Sequence, residues 1–252
     1  VFNSLYGIIN YTPEIVYKNG AKNLYEIFPI TVNRAPGLVT PFMKNGNLLT
    51  YRSNFTITQK FIILYGIAAG MYYLHKKGMT HLNLKPENIL LNDDFEPIIN
   101  IDITSRPKPV KENLFYLLPV FSFPYVAPEL LTFQNKKNSN CNEKKADVYS
   151  FSMIAYFLLS GIHPWDSSRG LQPILRKVNN DQRPTVSGLI PSPFDELITN
   201  CWPTNPLKRL SFKNILNKIG SSEFIRSIEN LDVEKFQNYQ KKVVSNDFIF
   251  PI

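Results

Sequence analysis

The sequence predicts an α+β fold in which a small strand-rich part precedes a larger helical part. Residues 1–9 and 37–43 are rich in β-branched and aromatic side chains, which is typical of strands. After Thr58, apolar residues recur with the period of a helix, and residues 147–161 are apolar nearly all round, which indicates a helix inside the core. A chain of 252 residues can bury one sizeable core, or two small lobes that share a cleft.

The composition is that of a globular, intracellular protein. Hydrophobic residues make up 44% of the chain, which is enough to build a core and excludes a disordered chain. Cys141 and Cys201 are the only cysteines, so neither a disulfide framework nor a cysteine metal site is expected, and a reduced, cytoplasmic setting fits best. The longest apolar stretches, 61–74 and 148–162, are too short and too interrupted to predict a membrane span, and no secretory leader opens the chain.

The net charge of +8 suggests nucleic-acid binding as one function. The lysines, however, occur as scattered pairs rather than as one stripe: Lys76-Lys77, Lys136-Lys137, Lys144-Lys145 and Lys241-Lys242. Solvated faces explain such pairs more simply, so no nucleic-acid partner is expected. A nucleic-acid-binding module is therefore a third hypothesis that depends on net charge alone, and an acidic partner or an anionic ligand stays open.

The N-terminal elements and the first helix are predicted from composition and from the positions of residues that end or cap helices and strands. Residues 10–36 carry no clear period and are interpreted as a loop or an irregular insertion. A proline ends the strand at 37–43 or places it at a sheet edge, and residues 44–47 (KNGN) supply a turn. Thr58 is the expected N-cap of the first helix, and Gly78 lies where a left-handed cap would end it.

The rest of the chain is predicted to form a hairpin and then helices only. Residues 88–92 and 97–102 flank a short turn and predict two antiparallel strands. Residues 103–128 hold five prolines and show no period. Helices are expected at 147–161, 193–202 and 211–219. Ser211 would cap the last of them, whereas the final thirty residues are polar and weakly helical.

One short stretch carries most of the functional information. Residues 81–88 (HLNLKPEN) combine a lysine, two asparagines and a proline directly after the long apolar helix. This stretch resembles the catalytic loop of protein kinases, and its KPEN sequence at residues 85–88 is similar to that of the serine/threonine and tyrosine-kinase-like branches of that superfamily. By this resemblance, His81 belongs to a hydrophobic spine and is a packed core histidine rather than a base.

Later landmarks follow in the order of the family. They are residues 125–129 (YVAPE), 147–152 (DVYSFS), 163–165 (HPW), 201–202 (CW) and Arg209. In the family, Asp147 marks the start of the central buried helix, and Arg209 forms a salt bridge with Glu129. The resemblance implies a protein-kinase-like fold with a mostly helical C-terminal lobe. The implied parts are a partial N-terminal lobe and hinge at 1–43, a helical C-terminal lobe at 44–220 and a C-terminal extension at 221–252.

The resemblance also implies a nucleotide site. Lys85 would lie near the γ-phosphate, and Asn88 would offer its carbonyl oxygen to Mg²⁺, which prefers oxygen ligands. Met43 would be the hinge residue whose backbone meets adenine, Thr40 the gatekeeper, and Leu90 would lie under the purine. ATP and Mg²⁺ are therefore the implied cofactors, and a protein is the implied substrate or partner. The plainer alternative is that Lys85 and Asn88 only satisfy backbone groups of the loop.

The chain departs from the family at the residues that perform the chemistry. Asn83 stands where active kinases carry the catalytic aspartate, and an amide cannot accept a proton at neutral pH. Loss of a positioned base costs on the order of 10²–10⁴ in rate. Leu82 replaces the arginine that holds an activation-loop phosphate. The metal-binding aspartate of the family falls on Ile101, so Asp102 lies one place late and would need a one-residue bulge to bind Mg²⁺.

Two functions stay open from the sequence. The first is a pseudokinase, a binding or scaffolding module that has kept the fold and lost phosphate transfer. The second is a weakly active serine/threonine-type kinase that uses Lys85, Asn88 and a repositioned Asp102. Ser122 either contacts the catalytic loop, as its counterpart does in serine/threonine-type kinases, or is an ordinary turn residue. No glycine-rich loop and no Val-Ala-x-Lys strand precede the expected hinge, so only a partial N-terminal lobe is predicted.

Overall fold

The computed structural model describes residues 28–32, 35–39, 42–50, 55–101, 120–131, 143–165 and 171–244. The strands in these ranges are β1 (Phe28–Val32), β2 (Ala35–Val39), β3 (Ile89–Leu91) and β4 (Pro97–Ile99). The α-helices are α1 (Ile57–Lys76), α2 (Pro128–Leu131), α3 (Glu143–Ser160), α4 (Leu171–Asn179), α5 (Pro193–Thr199), α6 (Phe212–Ile219), α7 (Ser222–Ser227) and α8 (Val233–Val244). The 3₁₀ turns cover Pro86–Asn88, Val120–Tyr125 and Pro206–Lys208. The predicted α+β fold with a mostly helical C-terminal part is confirmed.

Thr56 rather than Thr58 caps the N-terminus of α1. The Thr56 hydroxyl accepts a hydrogen bond from the Gln59 N–H at 3.3 Å, and the Gln59 side chain accepts one from the Thr56 N–H at 3.0 Å. This capping box satisfies N–H groups that the first turn leaves without helical partners. Thr58 lies inside the helix, and its hydroxyl accepts a hydrogen bond from the Asp232 N–H at 2.9 Å. The prediction was wrong because either threonine suits a cap, and the sequence does not show that a distant segment uses Thr58.

The C-terminal end of α1 lies where the sequence predicts it. Gly78 has a φ of 75°, a left-handed conformation that glycine adopts without strain. Its N–H donates to the His75 carbonyl at 3.1 Å, and the Met79 N–H donates to the Leu74 carbonyl at 3.0 Å. These two hydrogen bonds form a Schellman motif, which ends the helix and directs the chain into the loop at residues 81–88.

The hydrophobic core is built around α1 and α3. Helix α1 contacts β4, α3, α6 and α8, so it connects the hairpin to the C-terminal helices. In α3, every residue from 146 to 159 is buried, as the sequence predicts for this helix. Phe61 of α1 lies 5.9 Å from Phe194 and 4.4 Å from Phe236 between ring centres, so α5 and α8 join one aromatic cluster. Among the described residues, no helix combines the length and apolar character that crossing a membrane requires.

The strands after the loop form the predicted hairpin, since β3 and β4 pair antiparallel. The segment before α1 joins β3 from outside this hairpin. The Leu48 N–H donates to the Ile89 carbonyl at 2.8 Å, and the Leu91 N–H donates to the Gly46 carbonyl at 3.0 Å. Gly46 has a φ of 66°, and its N–H closes the predicted turn by donating to the Met43 carbonyl at 2.9 Å. The segment expected to form the hinge therefore leads directly to β3.

Several predicted boundaries were wrong. The sequence predicts an irregular segment at 10–36, yet β1 lies there and pairs antiparallel with β2, with Val32 opposite Ala35. Five strand residues among Asn, Pro, Gly and Lys are too few to show a period. Because the pairing begins at Ala35, β2 starts before the predicted residue 37. The predictions for residues 1–9 and 103–119 lie outside the described residues.

The helical boundaries differ in a similar way. Helix α3 begins at Glu143 rather than at 147, because a charged first turn does not show in the apolar pattern, and α5 ends at Thr199 rather than at 202. Helix α4 was not predicted. Its Pro173 argues against a helix in a sequence window but is tolerated in a first turn, where the N–H has no helical partner. The predicted cap of α6 is confirmed, since the Ser211 hydroxyl accepts a hydrogen bond from the Asn214 N–H at 3.2 Å.

Candidate functional site

The loop at residues 81–88 joins α1 to β3, and one carboxylate from α3 fixes its backbone. Asp147 Oδ2 accepts a hydrogen bond from the His81 N–H at 2.9 Å, and Oδ1 accepts one from the Leu82 N–H at 2.7 Å. Asp147 is fully buried, and Leu82 has a φ of 58°, a left-handed conformation that costs a side-chain-bearing residue about 1–2 kcal/mol. Charge-assisted bonds offset this strain, so α3 sets the shape of the loop.

His75, near the end of α1, is a third partner of the same carboxylate. Its Nε2 lies 2.9 Å from Asp147 Oδ2, to which it donates. No local pattern in the sequence connects His75 with this carboxylate, because the two residues lie 72 positions apart. The carboxylate thus ties α1, α3 and the loop together.

The ring of His81 forms a hydrogen bond through each of its two nitrogens. Its Nδ1 accepts a hydrogen bond from the Asn83 N–H at 3.2 Å, so Nε2 carries the proton and donates to the Asn100 carbonyl at 3.0 Å. His81 is buried, and both ring nitrogens are used within the protein. The ring therefore connects the loop to the residue that follows β4.

The two asparagines of the loop are joined to each other. Asn88 Nδ2 donates to the Asn83 backbone carbonyl at 2.8 Å, and the Asn88 backbone carbonyl accepts a hydrogen bond from the Asn100 N–H at 2.8 Å. Both side chains are buried. Because the amide nitrogen of Asn88 faces the loop, its side-chain oxygen is the atom that a cation could approach.

Lys85 contacts a segment far along the chain. Its Nζ donates to Ser122 Oγ at 2.9 Å, and Ser122 is buried. The 3₁₀ turn Val120–Tyr125 is therefore held against the loop through this lysine. Of the two interpretations of Ser122, the geometry favours contact with the loop over an ordinary turn residue.

Of the three residues expected around adenine, the structure describes Met43 and Leu90. Met43 precedes the turn at residues 44–47, and the end of that turn pairs with Leu90 of β3 as an isolated bridge at Asn47. Met43 and Leu90 are both half-buried, so neither is sealed inside the core. Phe42, directly before Met43, has 90% of its surface exposed. Thr40 lies outside the described residues.

The structure describes one of the two residues expected to bind Mg²⁺, Asn88. Ile101, at the position of the metal-binding aspartate, is 2% exposed and packs in the main hydrophobic core. Asp102 lies outside the described residues. In the part of the chain that the structure describes, no three His, Cys, Asp or Glu side chains come together as a metal site. One neutral oxygen, that of Asn88, remains among the described candidates, whereas Mg²⁺ is usually held by one or two carboxylates.

Glu129 and Arg209 form the ion pair that the resemblance implies. Arg209 Nη1 lies 2.6 Å from Glu129 Oε1, and Nη2 lies 2.8 Å from Oε2, which is a bidentate arrangement. The guanidinium carbon lies 5.1 Å from the ring centre of Tyr149, whose pKa burial raises to about 12. This cluster connects α2, α3 and the segment before α6.

Glu87, within the loop, has a carboxylate with no partner for one of its oxygens. Oε2 of Glu87 is buried and makes no hydrogen bond. Its neighbour Tyr125 is buried, with the hydroxyl 3.2 Å from Nδ1 of His163. Burial raises the pKa of the Tyr125 hydroxyl, and the negative charge of Glu87 raises it further.

Comparison with known proteins gives one consistent result. The chain matches the family described as the protein kinase domain over residues 21–219. Receptor-interacting serine/threonine-protein kinase 1 of Homo sapiens is 30% identical over 83% of this chain and 33% of its own length. Serine/threonine/tyrosine-protein kinase HT1 of Arabidopsis thaliana is 27% identical over 71% of this chain and 45% of its own length. Probable serine/threonine-protein kinase gdt2 of Dictyostelium discoideum is 31% identical over 70% of this chain and 11% of its own length. The chain therefore spans less than half of each of these relatives.

Proposed function

This chain belongs to the protein kinase family, and from that premise we propose that it is a pseudokinase, a binding, scaffolding or signalling module with little phosphate transfer. One observation carries the proposal: a loop whose backbone is held by hydrogen bonds carries an amide, Asn83, where transfer needs a carboxylate. An amide can hold an incoming hydroxyl but cannot accept its proton, and loss of such a base costs on the order of 10²–10⁴ in rate.

The electrostatic side of the reaction supports the same proposal. Phosphoryl transfer depends on positioning and charge neutralisation more than on covalent chemistry. Ile101 adds no charge to the site, and Lys85 is the one cation among residues 81–88. Leu82 stands in place of an arginine, so a phosphate in the activation segment would find no cation at that position.

A second candidate function is a weakly active serine/threonine-type kinase. The contact between Lys85 and Ser122 at 2.9 Å favours it, because the counterpart of Ser122 contacts the catalytic loop in serine/threonine-type kinases. In that case Lys85 would orient the γ-phosphate, Asn88 would offer an oxygen to Mg²⁺ and Asp102 would complete the site. Of these three residues, the structure describes Lys85 and Asn88.

The proposal extends to partners and organisation. We expect a protein partner, ATP as the nucleotide, no nucleic-acid partner and a cytoplasmic location. The proposed parts are 1–43 as the partial N-terminal lobe and hinge, 44–220 as the helical lobe and 221–252 as an extension.

The test is radiolabelled phosphate transfer from ATP by the intact protein, with Lys85→Ala and Asn83→Asp beside the unmodified form. We expect the unmodified protein and Lys85→Ala to be equal and close to background. Asn83→Asp restores only the base, so we expect it to stay low as well. Robust transfer by the unmodified protein that Lys85→Ala abolishes would overturn the pseudokinase proposal and establish the second candidate.

A further inference from the structure

We propose that a cavity between α1, the β3–β4 turn (residues 92–96) and α8 is a peptide-binding site, and that residues 245–252, which follow α8, are its ligand. The cavity has a volume of about 340 Å³, which lies within the range of known ligand sites. Its lining includes no residue of the loop at 81–88. The site is therefore separate from the candidate active site.

The buried part of the lining is apolar and aromatic. Ile62 of α1 and Tyr239 of α8 are both buried, whereas Phe95 of the turn is half-buried. Phe95 lies edge-on to Phe55, with 6.3 Å between the ring centres, and it has a φ of 59°. That left-handed conformation is strained for a residue with a side chain, and many turns place a glycine there. The turn thus holds an aromatic ring at a position where the backbone favours none, and this ring lines the cavity.

The polar part of the lining carries no net charge. It includes two carboxylates and two ammonium groups, those of Asp94, Glu96, Lys235 and Lys242. Lys242 Nζ lies 2.7 Å from Oε1 and 2.6 Å from Oε2 of Glu96, so this pair is neutralised within the protein. Asn238 is exposed and offers an amide donor and an amide acceptor. Such a lining favours a peptide with apolar side chains and little charge over a strongly charged ligand.

The segment after α8 has the matching composition. Residues 245–252 lie outside the described residues, and their sequence is SNDFIFPI. Two phenylalanines, two isoleucines and a proline follow the one charged side chain, that of Asp247. Apolar side chains in such a concentration favour burial over contact with water. The cavity offers an aromatic surface on which they can be buried.

The end of α8 lies close enough for this segment to reach the cavity. The helix ends at Val244, and Lys242 in its last turn already lines the cavity. At about 1.5 Å per helical residue, Tyr239 lies about 7.5 Å from Val244 along the helix axis. An extended chain covers about 3.3 Å per residue, so a turn of about three residues and about three extended residues bring Phe250 to the level of Tyr239.

The test is amide hydrogen exchange in the intact protein, measured by mass spectrometry on peptides that contain residues 245–252. The amides of this segment should exchange at least about tenfold more slowly than those of an unstructured peptide with the same sequence. Exchange at the unstructured rate would overturn the proposal.

Two substitutions in α8 separate binding in the cavity from other causes of protection. Asn238→Trp adds a large ring to the lining and should bring the exchange of residues 245–252 to within about twofold of the unstructured rate. Gln237→Trp adds the same ring at an exposed position of α8 outside the lining and should leave the protection unchanged. Equal protection in the two variants would contradict the proposal, because the cavity would then not be the site that holds the segment.

Substitutions in the segment provide the reverse test. Phe248→Ser combined with Phe250→Ser should free the cavity, so that a synthetic SNDFIFPI peptide binds this variant at least about tenfold more tightly than it binds the parent. Because a short linker gives an effective concentration on the order of 1 mM, tenfold protection corresponds to a dissociation constant of about 0.1 mM for the free peptide. No binding to the variant would overturn the proposal. Equal binding to the variant and the parent, abolished in both by Asn238→Trp, would overturn it too and would assign the cavity to a segment of another protein.

Discussion

The carboxylate of Asp147 accepts a hydrogen bond from the backbone N–H of Leu82 at 2.7 Å, and Leu82 has a φ of 58°. A helix in the core thus holds a strained residue of the candidate active loop. Asp147→Ala would leave three donors without an acceptor, those of His75, His81 and Leu82. We expect it to lower the free energy of unfolding by roughly 3–5 kcal/mol, measured by urea denaturation.

Two further substitutions make this prediction specific. Asp147→Asn keeps an acceptor oxygen and should cost clearly less than the alanine variant. Asp94→Ala removes an exposed aspartate from the β3–β4 turn and should leave the free energy of unfolding nearly unchanged. A loss of less than about 1 kcal/mol for Asp147→Ala would mean that the loop does not depend on this anchor.

The fork geometry of Arg209 on Glu129 predicts that charge alone will not preserve this pair. Arg209→Lys keeps the positive charge but loses the bidentate contact at 2.6 and 2.8 Å and the stacking on Tyr149. We expect a loss of about 2–4 kcal/mol in the free energy of unfolding, because the half-buried carboxylate of Glu129 is left incompletely paired.

The matched control for this pair is the exposed contact between Lys218 and Glu196. Lys218→Ala should have no measurable effect, since solvent screens such pairs. Comparable losses for Arg209→Lys and Lys218→Ala would show that burial and fork geometry do not matter at Arg209.

Much of the fold could be predicted because its strongest signals are local. The burial of α3 follows from an apolar pattern nearly all round the helix, and the end of α1 follows from Gly78. Features that depend on tertiary contacts could not be predicted, such as which threonine caps α1. Thr56 caps α1, and the hydroxyl of Thr58 instead accepts a hydrogen bond from the N–H of Asp232, which lies 174 positions away in the sequence.

In the candidate site, too, the local signals could be predicted and the long-range contacts could not. The loop at residues 81–88 could be identified from its residue types and order. The anchoring of that loop by His75 and Asp147 could not, because partners so far apart leave no shared pattern in the sequence. The sequence shows only that an isoleucine, Ile101, stands where the family has its metal-binding aspartate. The structure adds that this side chain is buried in the hydrophobic core.

The buried thiol of Cys201 predicts a loss of stability at high pH. Burial raises its pKa from 9.0 to about 12. The unfolded chain therefore releases the proton first, so the contribution of this thiol to stability is complete below pH 9 and is lost as the pH rises from about 9 toward 12. Cys201→Ala should remove that part of the pH dependence.

The measurement is urea denaturation of the Cys201→Ala variant and its parent, at about pH 8 and about pH 10. The stability advantage of the parent should shrink by on the order of 1 kcal/mol between the two pH values. Tyr125 and Tyr149 also have raised pKa values, but they are present in both proteins and cancel in the difference. An advantage that stays constant with pH would contradict the prediction.

Lys85 and Ser122 should be coupled in stability as well as in geometry. Ser122→Ala removes the acceptor of the Lys85 ammonium, and Lys85→Met removes the donor while keeping the apolar stem. Because a hydrogen bond to a charged group contributes about 1.5–3 kcal/mol, we expect a coupling energy near 1 kcal/mol after solvent screening of a half-buried pair. A double-mutant cycle by urea denaturation measures it. With saturating ATP present the coupling should fall toward zero, since the lysine then binds phosphate and no longer needs the hydroxyl; a coupling that ATP leaves unchanged would place Lys85 in the scaffold and not in the nucleotide site.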